Sequence, residues 1–163
     1  MSARANSRAH VDGRSNGNIL VLCYGNIYRS PFVAEKISAV LDPSRWTIRS
    51  AGFYHKSGRP CTDEYVILAR EFGISLEDHR SRQVSADDLE WADLIVIMDR
   101  KNWDLLREFG GTALEKAVWI GTFLDSGLAE VPDPYNRSDA DVKSIVGRLE
   151  RAATALVERL QKD

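Results

Sequence analysis

Four consecutive aliphatic residues, Ile19-Leu20-Val21-Leu22, run directly into Cys23, and a helix-start signal follows at Ser30-Pro31. A short unbroken apolar run of this kind reads as a strand buried on both faces. Serine at a cap position and proline at the first helical position place a helix just beyond the loop. Strand, tight loop and helix in that order open a parallel α/β sheet, and they constrain the rest of the chain.

The remaining segments alternate in the same way. Val33, Ile37, Val40 and Leu41 continue the first helix at helical spacing as far as Asp42-Pro43. Trp46 to Ser50 is a second strand, and Tyr65, Leu68, Ala69 and Phe72 mark a helix stopped by Gly73 at C′. Leu94 to Met98 is a third strand, with a short helix from Trp103 to Phe109 closed by Gly110-Gly111. Ala117 to Ile120 is a fourth strand, and a long terminal helix starts at Ser138 with Val142, Ile145, Val146, Leu149, Leu156 and Leu160 on one face. The expected fold is α/β: a four-stranded parallel sheet with helices on both faces. The first strand is central, so its loop lies at the C-terminal edge where open sheets of this class bind ligands.

Charge and cysteine content narrow the function classes. With 22 basic and 24 acidic side chains the formal charge is −2, which offers no strong field for nucleic acid or a membrane surface. The longest strongly apolar run, Leu94 to Met98, is too short to span a bilayer. Cys23 and Cys61 cannot make a disulfide framework, and no metal-ligand cluster is present, so neither metal nor cofactor is expected. A reducing, cytoplasmic setting follows from that usage. Residues 1–18 are polar and small and read as a flexible N-terminal extension, leaving 19–163 as one domain.

The loop Cys23-Tyr24-Gly25-Asn26-Ile27-Tyr28-Arg29-Ser30-Pro31 carries the chemistry. Its successive amides can form an anion nest, reinforced by the helix N-terminus. Gly25 and Asn26 are residue types that tolerate the positive φ a nest demands. Arg29 supplies a planar fork for two phosphate oxygens. The dipoles that attract phosphate also stabilise a thiolate at Cys23, with Ser30 placed to donate to it, and such a thiolate faces bound phosphorus as a nucleophile. A buried strand-end cysteine is the alternative for Cys23 taken alone. Asp133, between Pro132 and Pro134 as numbered neighbours Val131-Pro132 and Pro134-Tyr135, reads from the residues alone as a solvated turn or as a proton donor.

The string Cys-x-Gly-Asn-x-x-Arg-Ser-Pro resembles the signature of the low-molecular-weight protein-tyrosine phosphatases. Ser50-Ala51-Gly52, His79-Arg80-Ser81-Arg82-Gln83, Ala92 to Asp99 and Asp133-Pro134-Tyr135 are similar to further family segments. The resemblance implies a phosphatase domain over 19–163 that hydrolyses phosphotyrosine through a cysteinyl-phosphate. It implies catalytic roles for Cys23, Arg29 and Asp133, with Asp133 as general acid and later base. Tyr24, Gly25, Asn26, Ile27, Tyr28, Ser30 and Tyr135 are implied to bind substrate, and Ser50 and His79 to support the loop, His79 by orienting Asn26 and Ser30. The implied partner is a phosphotyrosine protein, with a bacterial tyrosine kinase as the family analogy.

Three positions depart from the pattern. Tyr28 stands where many members carry a second cysteine, so the reversible protection of the nucleophile by a neighbouring thiol is lost. Ile27 replaces the threonine usual in the related arginine phosphatases and favours phosphotyrosine. Asn136-Arg137 alters one rim of the cleft. Two alternatives stand beside this reading: an arsenate reductase of the same fold, disfavoured because only Cys61 remains as a second thiol, and a non-catalytic phosphate-binding or phosphotyrosine-binding module.

Overall fold

The structure, a computed structural model, describes residues 2–162. Four strands form its sheet: β1 (Gly17–Cys23), β2 (Trp46–Gly52), β3 (Leu94–Ile97) and β4 (Ala117–Trp119). All pairs are parallel and the order is β2-β1-β3-β4, so β1 is interior as expected. The unbroken apolar run of β1 is explained by its surroundings. Ile19 and Val21 enter one core, Leu20 and Leu22 enter a second on the other face, and all four are fully buried. Each such side chain contributes about 1.5–3 kcal/mol of transfer free energy.

One face is covered by α2 (Arg29–Ser38), α3 (Asp63–Glu71) and α6 (Asp139–Leu160), the other by α4 (Ala86–Trp91) and α5 (Arg100–Glu108). Ser138 caps α6 through a bond from the Asp141 amide, and Ile145, Val146, Leu149, Leu156 and Leu160 are buried along its inner face. Gly73, at φ 76°, ends α3 in the left-handed conformation expected of C′. The short helix α4 has no apolar periodicity long enough to read; its reciprocal capping box between Ser85 and Asp88 holds it.

Two expectations are corrected. Helix α2 begins at Arg29 rather than after a Ser30 cap, and it ends near Ala39, leaving Val40 half exposed. Ser30 lies inside the first turn with its hydroxyl turned to the loop, so it does not cap the helix. Residues 2–18 are also more structured than the flexible extension expected of 1–18. Helix α1 (Ala3–Val11) docks on β4, and β1 already starts at Gly17. Arg4 and Arg8 both donate to the Thr122 carbonyl, each at 3.1 Å, and Ser7 Oγ accepts the Trp119 amide at 3.2 Å. Hydropathy does not register this docking, because arginine-to-carbonyl bonds do most of it and Val11 alone supplies a large buried apolar side chain.

Candidate active site

The end of β1 pairs Cys23 with Gly52 on β2, and the loop folds back over that edge. The approach is close: a Cβ on Gly52 would lie 2.7 Å from the Tyr24 carbonyl oxygen and 2.9 Å from the Asn26 nitrogen. Position 52 therefore has to be glycine for the loop to close. Within the loop only Asn26 takes a left-handed backbone, at φ 55°. Gly25, expected to share that role, does not adopt positive φ.

Asn26 is the hub of the loop and is completely buried. Its amide nitrogen Nδ2 donates to Ser30 Oγ at 2.8 Å and to Ser50 Oγ at 3.0 Å, while Oδ1 accepts the Arg82 N–H at 3.0 Å. Its carbonyl meets His79 Nε2 at 2.7 Å, and its own N–H donates to Cys23 Sγ at 3.1 Å. Every polar group of this buried asparagine is thus matched. Ser30 Oγ lies 3.1 Å from the same sulfur. His79 reaches Asn26 only, not Ser30 as well. Burial lowers the pKa of His79 from its ordinary value, against the opposing pull of the Asn26 carbonyl and the Glu35 charge. A neutral ring carrying its proton on Nε2 fits that contact.

Arg29 is 1 % exposed, and its Nη1 is anchored twice. Nη1 donates to Asp99 Oδ2 at 2.5 Å and to the Val131 carbonyl at 2.9 Å; Nη2 lies 3.4 Å from Asp133 Oδ2. Burial alone would lower its pKa. The charges on Cys23, Asp99 and Asp133 outweigh that effect and hold the guanidinium above its ordinary value. Asp99 also caps α5 by accepting the Asn102 amide, so one carboxylate ties the arginine to the start of a helix. Asp133 accepts the Tyr135 amide at 3.1 Å through Oδ1, which closes a tight turn at the cavity edge.

Cys23, Tyr24, Gly25, Ile27, Tyr28, Arg29, Asp133 and Tyr135 line one cavity of about 270 Å³. Asn26, Ser30, Ser50 and His79 lie behind the loop instead of in its mouth. Tyr54 and Arg59, also in the wall, were not anticipated. Neither carries a local pattern that marks it, because only the fold of the segment after β2 brings it to the loop. Tyr28 packs edge-on against Tyr65 at 4.9 Å, and Tyr65 donates its hydroxyl to the Tyr28 carbonyl at 2.8 Å. Cys61 is buried in the same core as Cys23, and burial, then the Cys23 charge, pushes its thiol up to about 11. It is an inert thiol at neutral pH.

A loop at the C-terminal edge of a parallel sheet, bringing a cysteine sulfur, a buried arginine and an aspartate to one cavity, defines the class of this α/β protein. Over residues 18–163 the chain matches the family described as low molecular weight phosphotyrosine protein phosphatase. It is 35% identical over 145 residues to the probable low molecular weight protein-tyrosine-phosphatase AmsI of Erwinia amylovora, covering 89% of this chain and 98% of that protein. The crystal structure of that tyrosine phosphatase has a TM-score of 0.83, covering 92% of this chain and 97% of the other. Vibrio vulnificus Wzb, solved with benzylphosphonate, has a TM-score of 0.79 at 28% identity, covering 89% and 99%. The YwlE arginine phosphatase of Geobacillus stearothermophilus also reaches 0.79, at 26% identity, covering 89% and 93%. The chain belongs to the low molecular weight protein-tyrosine phosphatase family.

Proposed function

We propose that this chain hydrolyses phosphotyrosine in proteins through a cysteinyl-phosphate formed on Cys23. The observation that carries the reading is the convergence on one sulfur: Cys23 Sγ accepts the Asn26 amide at 3.1 Å, with Ser30 Oγ at 3.1 Å and the Arg29–Asp133 pair in the same cavity. The Cys23 thiolate attacks phosphorus and the bond to the tyrosyl oxygen breaks. Asp133 passes its proton to that oxygen as it leaves. Loop amides and Arg29 hold the equatorial oxygens of the transition state. Asp133, now ionised, takes a proton from water as the water attacks phosphorus, and the S–P bond breaks to release phosphate and the thiolate.

Tyr24, Gly25, Ile27, Tyr28 and Tyr135 form the surround of the phosphorylated ring in this reading, while Asn26, Ser30, Ser50 and His79 hold the loop in shape. The benzylphosphonate complex of Vibrio vulnificus Wzb supports an aryl phosphate as the occupant. Both cysteines are free thiols, which suits a reducing cytoplasm, and no helix among the described residues is long and apolar enough to cross a membrane. The substrate class is a tyrosine-phosphorylated protein, with a bacterial tyrosine kinase as the candidate by family analogy alone.

The test is turnover of p-nitrophenyl phosphate and of matched phosphotyrosine, phosphoserine and phosphoarginine peptides. Vanadate-sensitive hydrolysis with preference for phosphotyrosine is expected, and Cys23→Ser abolishes it. Undiminished activity in that variant removes Cys23 as the nucleophile. Preference for phosphoarginine redirects the substrate assignment.

A further inference from the structure

Two cations stand beside the cavity with no acidic partner among the described residues, Arg59 in its wall and Lys101 over the Tyr24 ring. Arg59 lies with its guanidinium 4.5 Å from the Tyr54 ring centroid, and Lys101 places its ammonium 3.5 Å from that of Tyr24. The Tyr24 and Tyr54 rings are 5.8 Å apart, so the four side chains make one continuous strip beside the phosphate loop. Among the described residues neither cation takes part in an ion pair. This is local, since the chain as a whole carries a net charge of −2.

Arg59 is also held in place. Its Nε donates to the Lys56 carbonyl at 3.1 Å and its Nη2 to the Gly25 carbonyl at 2.6 Å. Gly25 belongs to the phosphate loop, so this charge is fixed relative to the site where phosphate sits. A guanidinium has five N–H donors, and these two bonds leave Nη1 and one Nη2 hydrogen unspent. Arg29 differs in that it is buried beneath the loop and its Nη1 is spent on Asp99 and the Val131 carbonyl. A cation pre-set on an aromatic face loses little freedom on gripping a carboxylate.

We propose that Arg59 and Lys101 form a carboxylate subsite that selects phosphotyrosine flanked by Asp or Glu in the substrate polypeptide. The proposal rests on the phosphotyrosine reading of the main site and adds to it the chemistry of the neighbouring residues. Extended chain rises about 3.3 Å per residue, so an acidic side chain one or two positions from the phosphotyrosine reaches the strip.

Binding to the Cys23→Ser chain tests it without relying on turnover. Two phosphotyrosine peptides are compared by fluorescence anisotropy, one with Asp on both sides of the phosphotyrosine and one with Asn. The acidic peptide is expected to bind about fivefold tighter at low salt, with the preference fading at about 0.5 M salt. Arg59→Gln together with Lys101→Gln should bring the ratio close to one, and Arg59→Lys should keep part of it. The ratio is internal to each protein, so a general loss of affinity does not imitate the result. Equal binding of the two peptides, binding of neither, or an undiminished preference in the double variant overturns the subsite. Separately, an intact chain that turns over neither peptide while keeping the binding preference would remove the phosphatase reading and leave the subsite standing.

Discussion

Asp99 Oδ2 accepts from Arg29 Nη1 at 2.5 Å, joining the loop that starts α2 to the cap of α5 across the edge of the sheet. The arginine is almost wholly buried and the carboxylate nearly so. Removing one member of such a pair leaves the other charge uncompensated, which costs about 3–5 kcal/mol in a fully buried site. Asp99→Ala is expected to lose stability toward the lower end of that range in urea unfolding. Asp99→Asn keeps a capping side chain and should fold better, but with Arg29 less firmly aimed it should lose about tenfold or more in kcat/KM on p-nitrophenyl phosphate. Wild-type kinetics in Asp99→Asn would show that Arg29 needs no such anchor.

Asp133 is the more exposed of the two carboxylates on Arg29. Asp133→Ala should slow esters with poor leaving groups by about 10²–10⁴. Activated aryl phosphates, which leave without a proton, should be slowed far less. Rates measured across a series of substituted phenyl phosphates give the dependence on leaving-group pKa, which should steepen in the variant. An unchanged slope would assign the proton to another group.

The His79 contact makes the loop sensitive to acid. Its folded pKa lies below the ordinary 6.5, with burial as the main cause. Between the folded value and 6.5 the unfolded chain binds more protons than the folded one, so stability falls as pH drops through that window. Urea midpoints measured from pH 7 downward should decline, and His79→Gln should flatten the part of the decline that begins near 6.5. A variant with the same pH profile as the parent would show that the ring titrates alike in both states.

Tyr65 holds its hydroxyl proton firmly, because burial raises its pKa well above 10 and keeps it a donor to the Tyr28 carbonyl. Tyr65→Phe keeps the ring contact with Tyr28 and removes only that bond. A loss of about 1 kcal/mol in stability is expected. KM should rise more than kcat falls, since Tyr28 lines the cavity while Asn26 and Ser30 hold the sulfur. An equal fall in kcat with KM unchanged would place the Tyr28 backbone in the chemical step.

Helix α1 lies before the region matched to the family and covers the outer strand of the sheet. Val11→Ala is expected to cost about 1–3 kcal/mol. Deleting residues 2–12 should lower the melting temperature and promote self-association, because the Trp119 amide and the Thr122 carbonyl lose their partners at a sheet edge. Light scattering and thermal unfolding report both effects. A truncated chain as stable and monodisperse as the parent would mean that α1 only rests on the surface.

The legible parts were those whose signal is contiguous. Ile19 to Leu22, Leu94 to Ile97 and the face of α6 read correctly because burial on two faces or on one helical stripe prints directly on hydropathy. The ends were less legible: Ser30 has the composition of a cap, yet the hydroxyl is drawn to Cys23 and Asn26, and the helix opens at Arg29. Helix α1 was missed because carbonyl acceptors at Thr122 and Gly127 are invisible from the arginines that bind them.

For the candidate site the same division holds. The chain alone determined that strand, loop and helix would present Cys23, a run of amides and Arg29 together, because they are neighbours joined by short covalent reach. Tertiary structure decided the rest: that Asn26 and not Gly25 turns left-handed, that Gly52 must lack a side chain, that Asp99 and the Val131 carbonyl hold Arg29, and that Tyr54 and Arg59 wall the cavity. Those partners are far apart along the chain and meet only because the parallel sheet brings the C-terminal ends of its strands to one edge, a constraint of packing that no local run of residues encodes.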